Sequence, residues 1–256
     1  MVLLEQADYP LAVEMAKQVA VDKVYPLSIA EGFQSGEIFA DSAEHPRALL
    51  YWHACGFGFT AGELHEDFVR EIVGFMRNPR QNHGGRLALE AGEDAVLERL
   101  LLSDDHIRKQ EQNSFAFVGA ANDEILADTE ILPITAENCG RLTGRITPRF
   151  SWDSAAQFLS HGFGYCILHE GEFAACSFSA GISRAYVDIG VETAERFRGK
   201  GYGRRVVSRM IAEILRRGQI PVWQCHVSNE ASKRLAQSQG FVLRGTHPLY
   251  VYENPS

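Results

Sequence analysis

A glycine-rich basic segment, ERFRGKGYGRR from Glu195 to Arg205, constrains the fold more than any other feature of the sequence. The run before it, RAYVDIGVE, alternates apolar and polar side chains as a strand does. The run after it places apolar residues at helical spacing until Gly218. The segment therefore predicts a strand, a glycine loop and a helix in direct succession, with the loop at the N-terminus of the helix.

The composition of this loop favours an anion site. Glycines allow backbone N–H groups to approach a ligand closely, and a helix N-terminus supplies unpaired donors and the positive end of a dipole. Full positive charges are added by Arg196, Arg198, Lys200, Arg204 and Arg205. The alternative is a solvated basic turn, but cations at a helix N-terminus oppose the dipole, so a purely structural role is disfavoured. The loop predicts a phosphate site, and a pyrophosphate fits it best.

Two common nucleotide motifs fit this segment poorly. A dinucleotide fingerprint that begins at Gly201 would need its third glycine where Val206 stands. A nucleoside-triphosphate loop would need serine or threonine after Lys200, where Gly201 stands. Both nucleotide interpretations are therefore weakened.

The remaining sequence alternates strand-like and helix-like segments, as in an α/β (α+β) protein. A composition shift divides the chain into a smaller N-terminal α/β domain, residues 1–124, and a C-terminal domain, residues 125–256. In the first domain, VYPLSIAEG and GEIFAD are predicted as short strands and HEDFVREIVGFMR as a helix. In the second, GYCILHEGEFAACSFSAG is predicted as a hairpin that turns at Glu170 and Gly171.

Composition disfavours several classes of protein. The chain is 45% hydrophobic, carries a formal net charge of −8 and has no apolar run of membrane-span length. An acidic chain with one basic loop is not expected to bind nucleic acid or a membrane. The five cysteines are scattered, without a CxxC pair or zinc-site spacing, so free thiols and no metal site are expected. The N-terminus lacks a leader pattern, and the predicted location is cytoplasmic.

The stretch FRGKGYG resembles the acyl-CoA signature of the GNAT acetyltransferase superfamily. Its Arg/Gln-x-x-Gly-x-Gly/Ala pattern is matched by Arg198, Gly201 and Gly203. Downstream, SNEASKRLAQSQGF resembles the second landmark of the superfamily, a helix that begins with Asn, carries a small residue three positions later and ends in Gly-Phe. Those places are held by Asn229, Ser232, Gly240 and Phe241. Within this half of the chain, ITPRFSW, VDIGVET and PVWQCH look like a bacterial subfamily that has an extra N-terminal domain.

The resemblance implies a mixed sheet whose central strands splay apart and are flanked by helices, with acetyl-CoA as co-substrate and no metal. The pantetheine arm would lie in the gap between the strands, and the pyrophosphate would lie on the amides from Arg198 to Gly203. The implied contact residues are Val191, Thr193, Arg198, Gly199, Lys200, Gly201, Tyr202, Gly203, Arg204, Asn229 and Ser232.

Direct transfer of an acetyl group to an amine needs a carboxylate, or a water that it holds, to accept a proton. The resemblance makes Glu192 the first candidate base and Asp188, on the same strand face, the second. Many members place a tyrosine as general acid seven residues after the asparagine, but Ala236 stands there. The acid is then a water or a residue such as His226, or the chain no longer catalyses. Each of these side chains has an ordinary alternative role in solvation or packing.

The resulting prediction is an N-acetyltransferase that moves an acetyl group from acetyl-CoA to a primary amine of a small molecule. The amine would bind where the two halves of the chain meet, and a homodimer is left open. An alternative from another class is a CoA-binding regulatory module without turnover, which Ala236 favours. A third is a protein-interaction domain with an incidental basic loop.

Overall fold

The computed structural model describes residues 1–77 and 87–253. The chain divides into two compact units, of which the first is Met1–Ser114 with Gly245–Ser256 and the second is Phe115–Arg244. The C-terminal segment therefore belongs to the first unit, although it follows the second in sequence. Compactness alone does not show independent folding, so the domains 1–124 and 125–256 stay a prediction.

Strands and helices alternate in the first unit. Its elements in chain order are β1 (Val2–Leu3), α1 (Tyr9–Ala16), α2 (Val24–Ala30), β2 (Gly36–Ala40), β3 (Ala48–His53), β4 (Phe57–Gly62), α3 (Glu66–Arg77), β5 (Ala88–Glu90), α4 (Ala95–Leu101) and β6 (Ile107–Phe117), whose last three residues count with the second unit. β1 to β4 pair antiparallel in sequence order, and β5 pairs parallel with β4. The core lies where Phe68, Ile72 and Met76 of α3 meet Leu50 and Trp52 of β3.

The helix α2 corrects one sequence prediction. VYPLSIA was expected to be a strand, but Val24–Ala30 forms a helix in which every residue is buried. A helix that is buried on all sides carries apolar residues all round. Its sequence then has no helical periodicity, so a short apolar segment of this kind cannot be distinguished from a buried strand. The predictions for GEIFAD and HEDFVREIVGFMR are confirmed by β2 and α3.

The second unit repeats the order of strands and helices. Its elements are β7 (Leu132–Pro133), α5 (Ala155–His161), β8 (Gly164–His169), β9 (Glu172–Ile182), β10 (Tyr186–Thr193), α6 (Tyr202–Arg216), β11 (Ile220–His226), α7 (Glu230–Ser238) and β12 (Phe241–Tyr252), which counts with the first unit from Gly245. β7 to β10 pair antiparallel, and β11 pairs parallel with β10. The predicted mixed α/β (α+β) class is confirmed.

The hairpin of β8 and β9 is also confirmed, and it turns at Glu170 and Gly171. Both residues have positive φ, 52° and 79° respectively. Two consecutive positive φ values are what a two-residue hairpin turn of type I′ requires, and this turn matches the twist of the flanking strands. Glycine tolerates this conformation at no steric cost.

The helix α6 packs an apolar stripe onto the sheet of the second unit. Of the stripe that the helical spacing predicts, Val207, Met210, Ile211 and Ile214 are buried and Leu215 is half-buried. Within the described residues, no helix is both long and apolar enough to span a membrane.

The end of α6 carries a buried carboxylate. The Glu213 side chain is only 6% exposed and accepts hydrogen bonds from Arg216 and Arg217 at 2.8–2.9 Å. The bond from Arg216 lowers the pKa of Glu213 below its ordinary value of 4.5, although desolvation opposes this, and Arg217 adds to the lowering. The guanidinium of Arg217 also lies 3.8 Å from the centre of the Phe163 ring.

Because this pKa is depressed, Glu213 stabilises the fold above about pH 4.5, and the contribution is lost as the pH falls through the folded-state pKa. Glu213→Gln is therefore expected to lower the free energy of unfolding by about 2 kcal/mol at neutral pH. The variant and the wild type should converge in acid, as urea titrations at several pH values would show. Glu230→Gln, at an exposed ion pair with Lys233, is the control and should change much less. A pH-independent difference for Glu213→Gln would contradict this role.

Candidate active site

A gap opens between the two parallel strands of the second unit. The described residue pairs between β10 and β11 end at Asp188 and Val222, although β10 continues to Thr193 and β11 to His226. The pairing between β10 and β9 continues on the other edge to Thr193, with an irregularity after Asp188. One edge of β10 is thus open beyond Asp188.

The peptide groups of Val191 and Thr193 lie on this open edge. The Ala194 N–H donates to the Ala174 carbonyl of the neighbouring chain segment at 2.9 Å, so residue 194 faces β9. Peptide groups alternate in direction along a strand, and those of residues 191 and 193 therefore face away from β9. Consistent with this direction, the Thr193 carbonyl accepts a hydrogen bond from Arg198 Nε at 3.3 Å.

The helix α6 begins at this end of β10 with its first amides uncapped. Its N-cap, Gly201, has φ 85° and no side chain to accept a hydrogen bond. The first bond of the helix runs from the Arg205 N–H to the Gly201 carbonyl at 3.1 Å. The amides of Tyr202, Gly203 and Arg204 have no acceptor within the helix, as is general for a first turn. They form the donor set that an anion needs.

Gly203 lies in close contact with the strand before it. A Cβ atom at residue 203 would be 2.7 Å from the hydroxyl oxygen of Thr193, which is shorter than a normal contact. The glycine therefore lets the first turn of α6 approach the end of β10. A side chain here would fill the space between them.

The open edge and the helix N-terminus share a cleft of about 900 Å³. Its walls come from a loop before α5, the end of β10, the glycine loop and the start of α7; they comprise residues 143–146, 191–195, 197–199, 201–204, 229, 231, 232 and 235. The lining includes most of the coenzyme-contact residues that the sequence predicts. Lys200 is not among them: its ammonium lies 5.2 Å from the centre of the Phe197 ring.

The five basic residues of the loop have different surroundings. Arg205 binds Asp128 and Glu130, with distances of 2.6–2.8 Å, and so fixes the first turn of α6. Arg196 pairs with Glu172 and lies over Phe197. The cleft itself is lined by Arg198 and Arg204, both exposed.

The Arg198 amide is not one of the unpaired donors, whereas the sequence resemblance predicts that the amides from Arg198 to Gly203 all bind the pyrophosphate. It donates to the Glu195 carbonyl at 3.1 Å because residues 195–197 form a short 3-10 turn. Phe197 is 6% exposed and anchors this turn through edge contacts with His169 and Tyr202, at ring distances of 5.5 and 5.7 Å. The Tyr202 hydroxyl lies 3.1 Å from His169 Nδ1, so its side chain belongs to this ring cluster.

The start of α7 forms the opposite wall. Asn229 caps the helix, since its side-chain oxygen accepts the Ser232 N–H at 3.1 Å. The Ser232 hydroxyl oxygen accepts the indole N–H of Trp223 at 3.0 Å. Ala236, which stands where many members of the superfamily have a tyrosine, is 0% exposed and is not among the residues that line the cleft.

The three candidate catalytic side chains are not brought together. Glu192 lines the cleft, but its Oε2 accepts N–H bonds from Arg145 at 3.1 Å and Ile146 at 2.9 Å. Asp188 is half-buried at the last described pair with β11, outside the cleft lining. His226 is outside the lining too, with Nδ1 2.7 Å from the hydroxyl oxygen of Ser228.

Sequence reasoning missed the wall formed by residues 143–146. Within it, Gly144 has φ 112°, and a Cβ there would be 2.7 Å from Cγ of Glu192. A Thr-Gly pair in an irregular segment gives no periodic signal, and only its contact with Glu192 shows that it lines the cleft.

Cysteine and metal chemistry have little support in the described chain. None of the five cysteines forms a disulfide in the described part of the chain. Burial raises the pKa of the Cys176 and Cys225 thiols, which keeps them protonated near neutral pH. Among residues 1–77 and 87–253, no group of three or more metal-ligating side chains is arranged to hold a metal ion.

Comparison with known proteins places these features in a family. The model of a family described as GNAT acetyltransferase matches residues 17–250. YdfB of Bacillus subtilis, named as an uncharacterized N-acetyltransferase, is 26% identical over 233 residues, which cover 87% of this chain and 88% of YdfB.

Solved structures share the fold. A GCN5-related N-acetyltransferase-like protein from Streptococcus suis matches with a TM-score of 0.75 and 20% identity, covering 97% of this chain and 100% of that one. A tandem GNAT protein from the clavulanic acid biosynthesis pathway matches with a TM-score of 0.61 and 12% identity, covering 100% and 98%. The predicted GNAT-type sheet is therefore confirmed. Because the family match extends over most of the sequence, the chain belongs to the GNAT acetyltransferase family.

Proposed function

We propose that this protein transfers an acetyl group from acetyl-CoA to a primary amine. The observation that carries the proposal is the uncapped N-terminus of α6 beside the open edge of β10. A donor set at a helix start suits a pyrophosphate, and an open strand edge suits the amide groups of a pantetheine arm. Membership of the family and the name of the B. subtilis relative support acetyl transfer.

Each part of the coenzyme has a fitting partner in the cleft. The amides of Tyr202, Gly203 and Arg204 would bind the pyrophosphate, and Arg198 and Arg204 would add charge. The open peptide groups of Val191 and Thr193 would bind the pantetheine arm. Asn229 keeps its amide nitrogen for a ligand, since the described cap bond uses its oxygen.

Transfer would be direct, from thioester to amine. The buried cysteine thiols described above are protonated and do not supply an acyl-accepting thiolate. The Val191 N–H can polarise the thioester carbonyl. As the amine nitrogen bonds to the carbonyl carbon and the carbon–sulfur bond breaks, the amine proton passes to a carboxylate or a water, and a water or His226 returns a proton to sulfur.

One coenzyme site per chain is proposed. In the first unit, β4 and α3 are joined by only Glu63, Leu64 and His65, without a glycine. The first turn of α3 carries Glu66 and Asp67, whose negative charges repel a phosphate. Within the described residues, this strand–helix connection of the first unit therefore lacks the glycine loop that the second unit has before α6.

The finer features of the proposal are a small-molecule amine, a cytoplasmic location and no nucleic-acid or membrane partner. They rest on the acidic chain and on cysteines that form no disulfide within the described residues, as is usual in a reducing compartment. The alternative is a CoA-binding module without turnover, which Ala236 favours.

Release of free thiol from acetyl-CoA, measured with a panel of small amines, tests the proposal. Wild type is expected to release thiol at least about tenfold faster with an accepted amine than without one, whereas Gly203→Leu should not respond. Saturable binding of acetyl-CoA, with no release of free thiol in the presence of any small amine or lysine peptide, would contradict turnover and favour the binding module.

A further inference from the structure

Glu192 is bound to the loop opposite it rather than directed freely into the cleft. Its side chain is 15% exposed, and Oε2 accepts the Arg145 and Ile146 amides at 3.1 and 2.9 Å. Two N–H donors on one oxygen fix the carboxylate in a single orientation. The other oxygen, Oε1, lies 4.0 Å from an Nη atom of Arg198.

Two further contacts join the same loop to the sheet. Gly144 approaches Glu192 so closely that a Cβ atom would be 2.7 Å from Cγ and 2.9 Å from Cδ. On β9, Cys176 is the register partner of Glu192, and its thiol lies 3.9 Å from the Ile146 carbonyl oxygen. The loop of residues 144–146 therefore contacts both Glu192 on β10 and its cross-strand partner Cys176 on β9.

We propose that Glu192 is a positioning residue, which holds residues 144–146 against β10 and so sets the wall of the cleft where the amine docks. That the acceptor is an amine rests on the proposed function, whereas the attachment of the loop to Glu192 does not depend on it. The wall includes Thr143 and Arg145, and its position decides how close an acceptor comes to the end of β10.

This role and that of a proton acceptor make different demands on the side chain. A base at residue 192 must be ionisable, so Glu192→Gln would remove its function. A positioning residue must only accept two N–H bonds, which the carbonyl oxygen of glutamine can also do. Alanine would end either function.

Amide hydrogen exchange of the full chain, resolved by residue, tests the attachment directly. In Glu192→Ala the Arg145 and Ile146 amides are expected to exchange at least about tenfold faster than in wild type. Glu192→Gln should change them several-fold less. The matched control is Glu137→Ala, an exposed glutamate earlier in the same unit, which should leave both rates unchanged.

Gly144→Ala provides a second route should Glu192→Ala fail to fold. Its Cβ would push the loop from an intact Glu192, so the same two amides should exchange faster. Unchanged exchange at these amides in the folded variants would overturn the inference.

With an accepted amine, Glu192→Gln should keep kcat within about fivefold of wild type, and Glu192→Ala should raise KM for the amine. Loss of kcat in Glu192→Gln with normal exchange would instead assign proton transfer to Glu192. A failure of the proposed function would appear separately, as no acetyl-CoA binding by wild type alongside the same exchange pattern.

Discussion

Gly203→Leu is expected to weaken acetyl-CoA binding at least about a hundredfold. The leucine side chain would enter the space between the first turn of α6 and Thr193, where even a Cβ would be 2.7 Å from the hydroxyl oxygen. Displacing this turn removes two or more charge-assisted N–H bonds to the pyrophosphate, each contributing about 1.5–3 kcal/mol. The measurement is the rise in melting temperature with increasing acetyl-CoA, which follows mass action.

The variant should fold, because leucine has a higher helix propensity than glycine, which offsets the cost of moving Thr193. Gly74→Leu is the matched control: it also lies within a helix, α3, and a Cβ there meets nothing within 4 Å. It should bind acetyl-CoA as wild type does. Wild-type affinity in a folded Gly203→Leu variant would exclude this helix start as the pyrophosphate site.

Phe197→Ala is expected to lower the free energy of unfolding by about 3–5 kcal/mol. The ring is 6% exposed and packs against His169 and Tyr202, while Arg196 and Lys200 lie 4.8 and 5.2 Å from its centre. Its removal leaves a cavity at the base of the glycine loop. The affinity of this variant for acetyl-CoA should also fall, by about tenfold, because the coenzyme must then order the loop as it binds. Urea denaturation and coenzyme titration measure the two effects.

Phe75→Ala separates loop order from general loss of stability. Phe75 makes ring contacts of 5.0 and 5.1 Å with Phe39 and Trp52 in the first unit. Its removal should destabilise the chain but leave the affinity for acetyl-CoA unchanged. Equal loss of affinity in both variants would show that Phe197 has no specific role in the loop.

The strand, the glycine loop and the helix start of the candidate site are the part that local sequence predicts well. Glycines, a following apolar stripe and a preceding alternating strand act over short distances, and the structure has the helix start at Tyr202 as that pattern indicates. The open edge of β10 was implied only by the family resemblance, because strand separation is a property of two segments that are distant in sequence.

The remaining features depend on tertiary contacts that no local pattern reports. The loop pattern counts Arg205 among the positive charges of the anion site, but its guanidinium is bound by Asp128 and Glu130, more than seventy residues away in sequence. The family resemblance makes Glu192 a candidate base, but its contacts with Arg145 and Ile146 appear only in the folded chain. The membership of Gly245–Ser256 in the first unit is likewise a matter of strand pairing between distant segments.

Calorimetric titration of acetyl-CoA into the wild-type protein is the measurement that bears most directly on the proposed site. Saturable binding with one coenzyme per chain is the expected result, because only the second unit has a glycine loop at an uncapped helix start within the described residues. Absence of binding heat, together with an unchanged melting temperature in excess acetyl-CoA, would contradict the assignment of this cleft to the coenzyme.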